Sequence, residues 1–297
     1  MKQFLIYFLF GFAFPLIAQE DSTLVENEGD DETEKGIFST TRIINAHSVE
    51  TLGKGVLEFR IEHRFGDIAG VDGGGQTLFG LDNSADIRIA LEYGITDKLM
   101  IGLGRNKGTG NPYKSLMDGF VKYKILNQSS SMPISLSATG ISTFSYMKRS
   151  SDISQVAHFP NWQHRFAYAL QVNVARKFFK DRLGLALMPT LTHRNYVADN
   201  DANTLFSLGG AARIGITSTT AILLEYHHVF SNSTIRPENY NSLGVAFEWI
   251  TFGHSFTIHL TNSKGFVETQ FIPYTFENWL KGQFRLGFCI SRKFEKG

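Results

Sequence analysis

The sequence predicts an all-β protein, an antiparallel up-and-down transmembrane β-barrel of about 12 strands with both termini periplasmic. Three observations carry this expectation. From Gly55 onward hydrophobicity alternates with a period of two, which puts apolar side chains on one face of each strand and polar ones on the other. Tight turns alternate with longer polar connections, the connectivity of a membrane barrel. The composition, with 28 Gly, 26 Phe and 10 Tyr but only 7 Pro among 297 residues, favours strands and turns. The apolar fraction is 42%, the charged fraction 19% and the mean hydropathy −0.11. No apolar run beyond Ala18 approaches the roughly 18 residues of a membrane-spanning helix, which excludes a helical membrane protein. A net charge of +1 gives no electrostatic ground for a nucleic-acid partner. The single cysteine, Cys289, excludes a disulfide framework or a Cys-rich zinc site.

Residues 1–18, MKQFLIYFLFGFAFPLIA, join a basic start, an apolar stretch and a small residue at the end, and read as a secretory signal peptide. Residues 19–36 are dense in Asp and Glu and nearly devoid of apolar side chains. Burial there cannot offset the entropy of ordering, and a disordered acidic tail is expected. Residues 37–54 form a pre-barrel segment that is too polar for a membrane strand yet contains Ile43, Ile44 and Val49. The expectation is that it packs at the periplasmic mouth or enters the lumen as a plug, with Arg42, Asn45, His47 and Glu50 meeting lumenal charges.

The barrel is expected over residues 55–294. Its first strand, 55–65, turns Leu57, Phe59 and Ile61 to lipid and Glu58, Arg60, Glu62 and Arg64 inward. The strand at 85–94 adds Arg88 and Glu92 to the lumen. Strands follow at 98–106 and at 116–126, the latter with Lys122 and Lys124 inward, then at 133–146 and at 163–178 with Arg165 inward. The next, 183–197, precedes 204–216 with Arg213, 221–230 with Glu225, and 241–250 with Glu248. The last two are 254–262 and 283–294, with Arg285. Short connections at 95–97, 127–132, 179–182, 217–220 and 251–253 alternate with 66–84, 107–115, 147–162, 198–203, 231–240 and 263–282, of which only 198–203 is short for its class. Aromatic residues near strand ends, among them Phe65, Tyr93, Tyr196 and Trp249, suit interfacial girdles. The lumenal set holds an excess of basic over acidic side chains. In a narrow barrel such charges either line a constricted passage, with weak preference for anions, or close it through ion pairs.

The stretches TTRIINAHSVETLGKGVLEFRIEHRFG (40–66), TNSKGFVETQFIP (261–273) and GQFRLGFCISRKF (282–294) resemble an uncharacterised family of Bacteroidota outer-membrane β-barrel proteins of unknown function. The resemblance implies a barrel and an outer-membrane address, and no activity. The chain carries Glu295, Lys296 and Gly297 beyond the terminal aromatic Phe294, a departure from the usual end read by the barrel-assembly machinery.

The candidate chemistry is sparse. GLGRNKGTG (102–110) lacks the Gly-Lys-Ser/Thr ending of a phosphate loop, and its glycines are better read as small inward positions that leave room in the lumen. Glu225 and His227, with His259, share one face but fall short of a converging zinc set, so hydrogen-bonded lumenal histidines are expected. His47, Ser48 and Glu50 are the one Ser/His/acid cluster, and His254 and Ser255 point to opposite faces. No catalytic site, metal or cofactor is therefore expected. The sequence points to an outer-membrane protein of a Gram-negative bacterium in contact with lipid. A narrow channel or uptake porin for small polar or anionic solutes comes first, and a closed barrel with a structural or docking role second.

Overall fold

The computed structural model describes residues 36–83, 86–108, 114–179, 182–199, 201–231, 236 and 238–295. The expected signal peptide and nearly all of the acidic tail lie outside them. The strands are β1 (Leu57–Asp67), β2 (Asp86–Gly94), β3 (Leu99–Lys107), β4 (Ser115–Leu126), β5 (Ser135–Ser145) and β6 (Phe166–Phe178), followed by β7 (Leu183–Arg194), β8 (Thr204–Gly215), β9 (Thr220–Phe230), β10 (Ser242–Thr251), β11 (His254–Thr261) and β12 (Arg285–Phe294). Each pairs with its sequence neighbours, and β1 pairs with β12, which closes a twelve-stranded antiparallel barrel without edges. Closure satisfies the backbone groups of every strand internally, the condition for crossing a bilayer with strands. No helix of the described residues is long and apolar enough to cross a membrane.

The molecule is inside out relative to a soluble protein. Along β1 the inward Glu58, Arg60, Glu62 and Arg64 are buried while the outward Leu57 is exposed and Phe59 and Ile61 are half-buried. On β3 the outward Leu103 is 68% exposed, whereas the inward Arg88 of β2 is 0% exposed. Leaving so much apolar surface in water would cost about 25 cal/mol per Å², so the outer face requires lipid. The register pairs Glu62 with Arg88 across β1 and β2, and Lys122 with Met100 and Thr139 across β3, β4 and β5.

Connections alternate as the chain runs. Those at 95–98, 127–134, 179–182, 216–219 and 252–253 gather at one end, and 68–85, 108–114, 146–165, 195–203, 231–241 and 262–284 at the other. One expectation needs correction. Arg165 closes a 3-10 turn, Trp162–Arg165, and β6 begins only at Phe166. The reason is local: the Asn161 backbone N–H donates to His164 Nδ1 at 3.3 Å, part of a reciprocal cap that holds this stretch helical. The Arg165 guanidinium donates to the carbonyls of Ser145 and Met147 at 3.0 and 2.7 Å and stacks over Phe159, so it braces a loop. The 262–284 connection carries the one α-helical turn of the described residues, α1 (Glu268–Phe271), with all four residues buried.

Candidate functional site: an occupied lumen

The inner surface divides into two unlike walls. The β6–β10 side carries a small or apolar patch, Ala175, Ala186, Met188, Ala211, Leu223 and Ala246, with Gln171, Glu225 and the Arg213–Glu248 pair set around it. On the side of β1, β2 and β4 the inward positions are charged, with Arg60 Nη2 2.7 Å from Glu58, Arg88 Nη1 2.6 Å from Glu62 and Arg88 Nη2 2.7 Å from Asp118. Arg88 reaches Asp118 across β3 because Gly104 stands between them; a Cβ there would lie 2.5 Å from Asp118 Oδ1 and 2.8 Å from the Arg88 guanidinium. The pairs are fully enclosed, and pairing is what makes buried charges tolerable.

Residues 37–52 lie inside this ring as a hairpin. Ile43 N–H donates to the carbonyl of Ala46 at 2.9 Å and Ser48 N–H to that of Thr41 at 2.9 Å, with an isolated bridge between Arg42 and His47. Both arms leave at the end with the tight turns. Gly36 and Ile37 adjoin Glu50 and the start of β7, and Lys54 N–H donates to Asp97 of the β2–β3 turn at 2.9 Å. The hairpin matches the two walls. Its Ile37, Phe38, Ile43, Ile44 and Val49 pack with the alanine-rich side and with Phe271 and Ile272, while its polar groups face the charges.

Three wall residues seize the hairpin backbone. Lys122 Nζ donates to the carbonyls of Thr41, Ser48 and Glu50 at 2.7, 3.1 and 3.0 Å. Glu225 accepts the consecutive N–H groups of Ile44, Asn45 and Ala46 at 3.0, 3.1 and 3.2 Å, a turn acting as an anion nest. Gln171 Nε2 donates to the carbonyl of His47 at 2.8 Å. Side chains add further ties: Lys124 to Glu50 at 2.8 Å, Arg42 Nε to Glu62 at 3.7 Å, Arg64 Nη2 to Asn45 Oδ1 at 2.5 Å and Ser39 Oγ to Glu248 at 3.0 Å.

From the long-loop end the 262–284 connection descends to meet the hairpin. Arg42 Nη2 donates to the carbonyl of Phe266 at 2.6 Å and lies 3.8 Å from Glu268 Oε2; His47 N–H donates to Glu268 Oε1 at 2.9 Å. Arg64 holds the carbonyl of Ser263 at 2.9 Å and that of Gly265, and stacks over Phe266. The lumen is thus filled from both ends.

Of the remaining sequence-derived residues, Arg60 Nε lies 3.7 Å from Glu92, Arg213 pairs with Glu248 at 3.0 Å and Arg285 with Glu277 at 3.0 Å. His227 Nε2 is 3.5 Å from Glu225. Among the described residues no group of three His, Cys, Asp or Glu is placed to hold a metal. Sequence reasoning passed over Asp86, Asp118, Arg194 and Glu268, all buried. Asp118 shares the two-residue spacing of Lys122 and Lys124, and Arg194 that of the inward Thr190 and Thr192, so parity alone could have found them. Nothing in the local pattern marks Glu268.

The family described as "Membrane bound beta barrel domain (DUF5777)" matches residues 38–294, a span that takes in the hairpin as well as every strand. The chain belongs to this family. A membrane-bound DUF5777 barrel of twelve antiparallel strands resides in the outer membrane of a Gram-negative bacterium, where transmembrane β-barrels of this even-stranded kind are found. Among curated proteins none matches the sequence. Solved structures align with the chain at low identity. The KdgM porin aligns with TM-score 0.47 and 10% identity over 81% of this chain and 99% of that chain. The COG4313 outer membrane channel from Pseudomonas putida F1 gives 0.48 and 16% over 83% and 98%, and LpxR from Salmonella typhimurium 0.38 and 9% over 81% and 100%.

Proposed function

We propose that this DUF5777 protein is a narrow channel for small polar or anionic solutes in a Bacteroidota outer membrane, closed when residues 37–54 occupy the lumen as a plug and opened when they withdraw. In this reading the tight turns and both termini face the periplasm, the barrel-assembly machinery inserts the chain, and no covalent chemistry takes place. The observation that carries it is the way the hairpin is held. It forms no ladder with any of the twelve strands; Lys122, Glu225, Gln171 and Lys124 grip it through discrete hydrogen bonds, and both arms exit at the same end. A segment so attached can leave without breaking the barrel, which closes through β1 and β12 alone. Beside the entry of the hairpin a cavity of about 550 Å³, lined by Phe38, Arg182, Arg213 and Ser218 among others, gives solute a vestibule at that mouth.

Planar-bilayer recording tests the proposal. Full-length protein should give rare, small openings, and a variant lacking residues 20–50 larger and more persistent ones. Equal currents from the two would remove the plug. Silence from both, with the barrels shown folded by heat-dependent gel mobility, would favour a closed barrel with a structural or docking role.

A further inference from the structure

The outer wall carries a feature that a passage through the lumen does not use. On the lipid face of β6, β7 and β8, near the tight-turn end, lies a trough of about 430 Å³ lined by Val174, Arg176, Phe178, Leu185, Leu187 and Gly210 among others. The sheet register explains it. Val174 stands opposite Leu187 and Leu187 opposite Gly210, so the row of outward side chains is interrupted at a residue with none before Tyr226 of β9 resumes it; a Cβ on Gly210 would meet nothing within 4 Å. The depression is almost wholly apolar, and at its rim stands one cation. Arg176 is exposed on the outward face of β6, two residues, or about 7 Å, from the strand end. Its guanidinium lies 5.0 Å over the Phe178 ring and makes no ion pair with any described residue. An outward arginine at this depth is costly unless it reaches an anion at the headgroup level.

We infer that this trough binds a glycerophospholipid of the leaflet at the tight-turn end, one acyl chain over Gly210 and the headgroup phosphate on Arg176. The chemistry divides between the two parts: the groove supplies apolar contact, and the guanidinium supplies the planar donor fork that suits phosphate. A second depression of about 660 Å³ over Gly119 and Gly140, between β3 and β5, is larger and mostly apolar, with Asp118 but no cation among its lining residues. It serves as the internal contrast, with acyl contact and no anchor for a charge.

Native mass spectrometry of the full chain, released from detergent with phosphatidylglycerol or with phosphate-free diacylglycerol as the probe, tests the site. Arg176→Gln should lower retention of phosphatidylglycerol about tenfold, the loss expected for one charge-assisted contact, and leave the weak diacylglycerol adduct unchanged. Gly210→Leu should remove both adducts by filling the trough, and Gly140→Leu should leave the phosphatidylglycerol adduct intact. Both glycines face open space, so these substitutions leave the fold in place, which heat-dependent gel mobility checks. Phosphatidylglycerol retention that survives Arg176→Gln and Gly210→Leu would overturn the site. So would loss of a protein dimer, in place of a lipid adduct, in Gly210→Leu.

Discussion

Lys122 is a fully enclosed ammonium whose donors are spent on three carbonyls of the hairpin, one on the outgoing arm at Thr41 and two on the returning arm at Ser48 and Glu50. It therefore ties the two arms to each other as well as to the wall. Leaving a buried acceptor unmatched costs about 1–3 kcal/mol, so Lys122→Met should raise the open probability of single channels at least tenfold while the barrel keeps its thermal stability. An unchanged open probability would show that the lysine does not hold the plug. Gly244 tests the same seat without touching charge. A Cβ there would stand 3.0 Å from Ile44 Cγ2 and 3.1 Å from its Cδ1, and larger side chains would reach farther into the turn. Gly244→Leu should displace the hairpin tip and expose it to a protease added at the tight-turn side; protection equal to the wild type would mean that the tip has room to shift.

At the scale of the element, the hairpin and the 262–284 connection meet at His47, whose backbone N–H donates to Glu268 at 2.9 Å, and both side chains are titratable. Burial, and after it the positive Arg42, Lys122, Arg88 and Arg60, hold the His47 pKa well below its ordinary 6.5. Gln171 and Glu268 engage its backbone, and Phe120 covers its ring. A histidine kept neutral when enclosed favours the seated hairpin above pH 6.5, and that contribution is lost as the pH falls below this value. Glu268 acts in the opposite sense. Burial raises its pKa against the pull of Arg42 and of the His47 N–H, so protonation at lower pH favours the seated form. Open probability should therefore climb as the pH falls from about 7.5 to about 5.5 and flatten nearer 4.5, and His47→Gln should remove the climb; a flat wild-type profile would separate His47 from the gate. The strands were legible because lipid and lumen impose opposite polarity on adjacent residues, as in Leu57, Glu58, Phe59 and Arg60. The inward descent of 262–284 was not. Glu268 and Phe271 are buried by a cavity that exists only once distant strands close, and no local period records such burial. The start of β6 was misplaced for a related reason, since a turn cap at Asn161 competes with strand there.

Over the whole molecule the question becomes which lumenal charges remain once the plug has gone. Counting inward strand positions, Arg165 drops out, Arg194 joins the basic set and Asp86 and Asp118 the acidic set, so the excess of positive charge read from the sequence nearly vanishes. Totals mislead, however, because most of these groups neutralise one another within the wall: Arg60 with Glu58 and Glu92, Arg88 with Glu62 and Asp118, Arg213 with Glu248. Two cations are matched by the hairpin instead, Lys122 by its carbonyls and Lys124 by Glu50. Withdrawal frees both. Among the strand positions it frees one carboxylate as well, Glu225, which retains His227 at 3.5 Å, and in the descending connection it leaves Glu268 without Arg42 and the His47 N–H. The open lumen should thus carry a small uncompensated positive charge, raise the local concentration of anions, and lose this preference as salt screens it. In the variant lacking residues 20–50, the reversal potential under a salt gradient should indicate weak anion selectivity. Adding Lys122→Glu and Lys124→Glu to that variant should turn it toward cations. A shift the other way, or none in a conducting barrel, would place both lysines outside the conducting path.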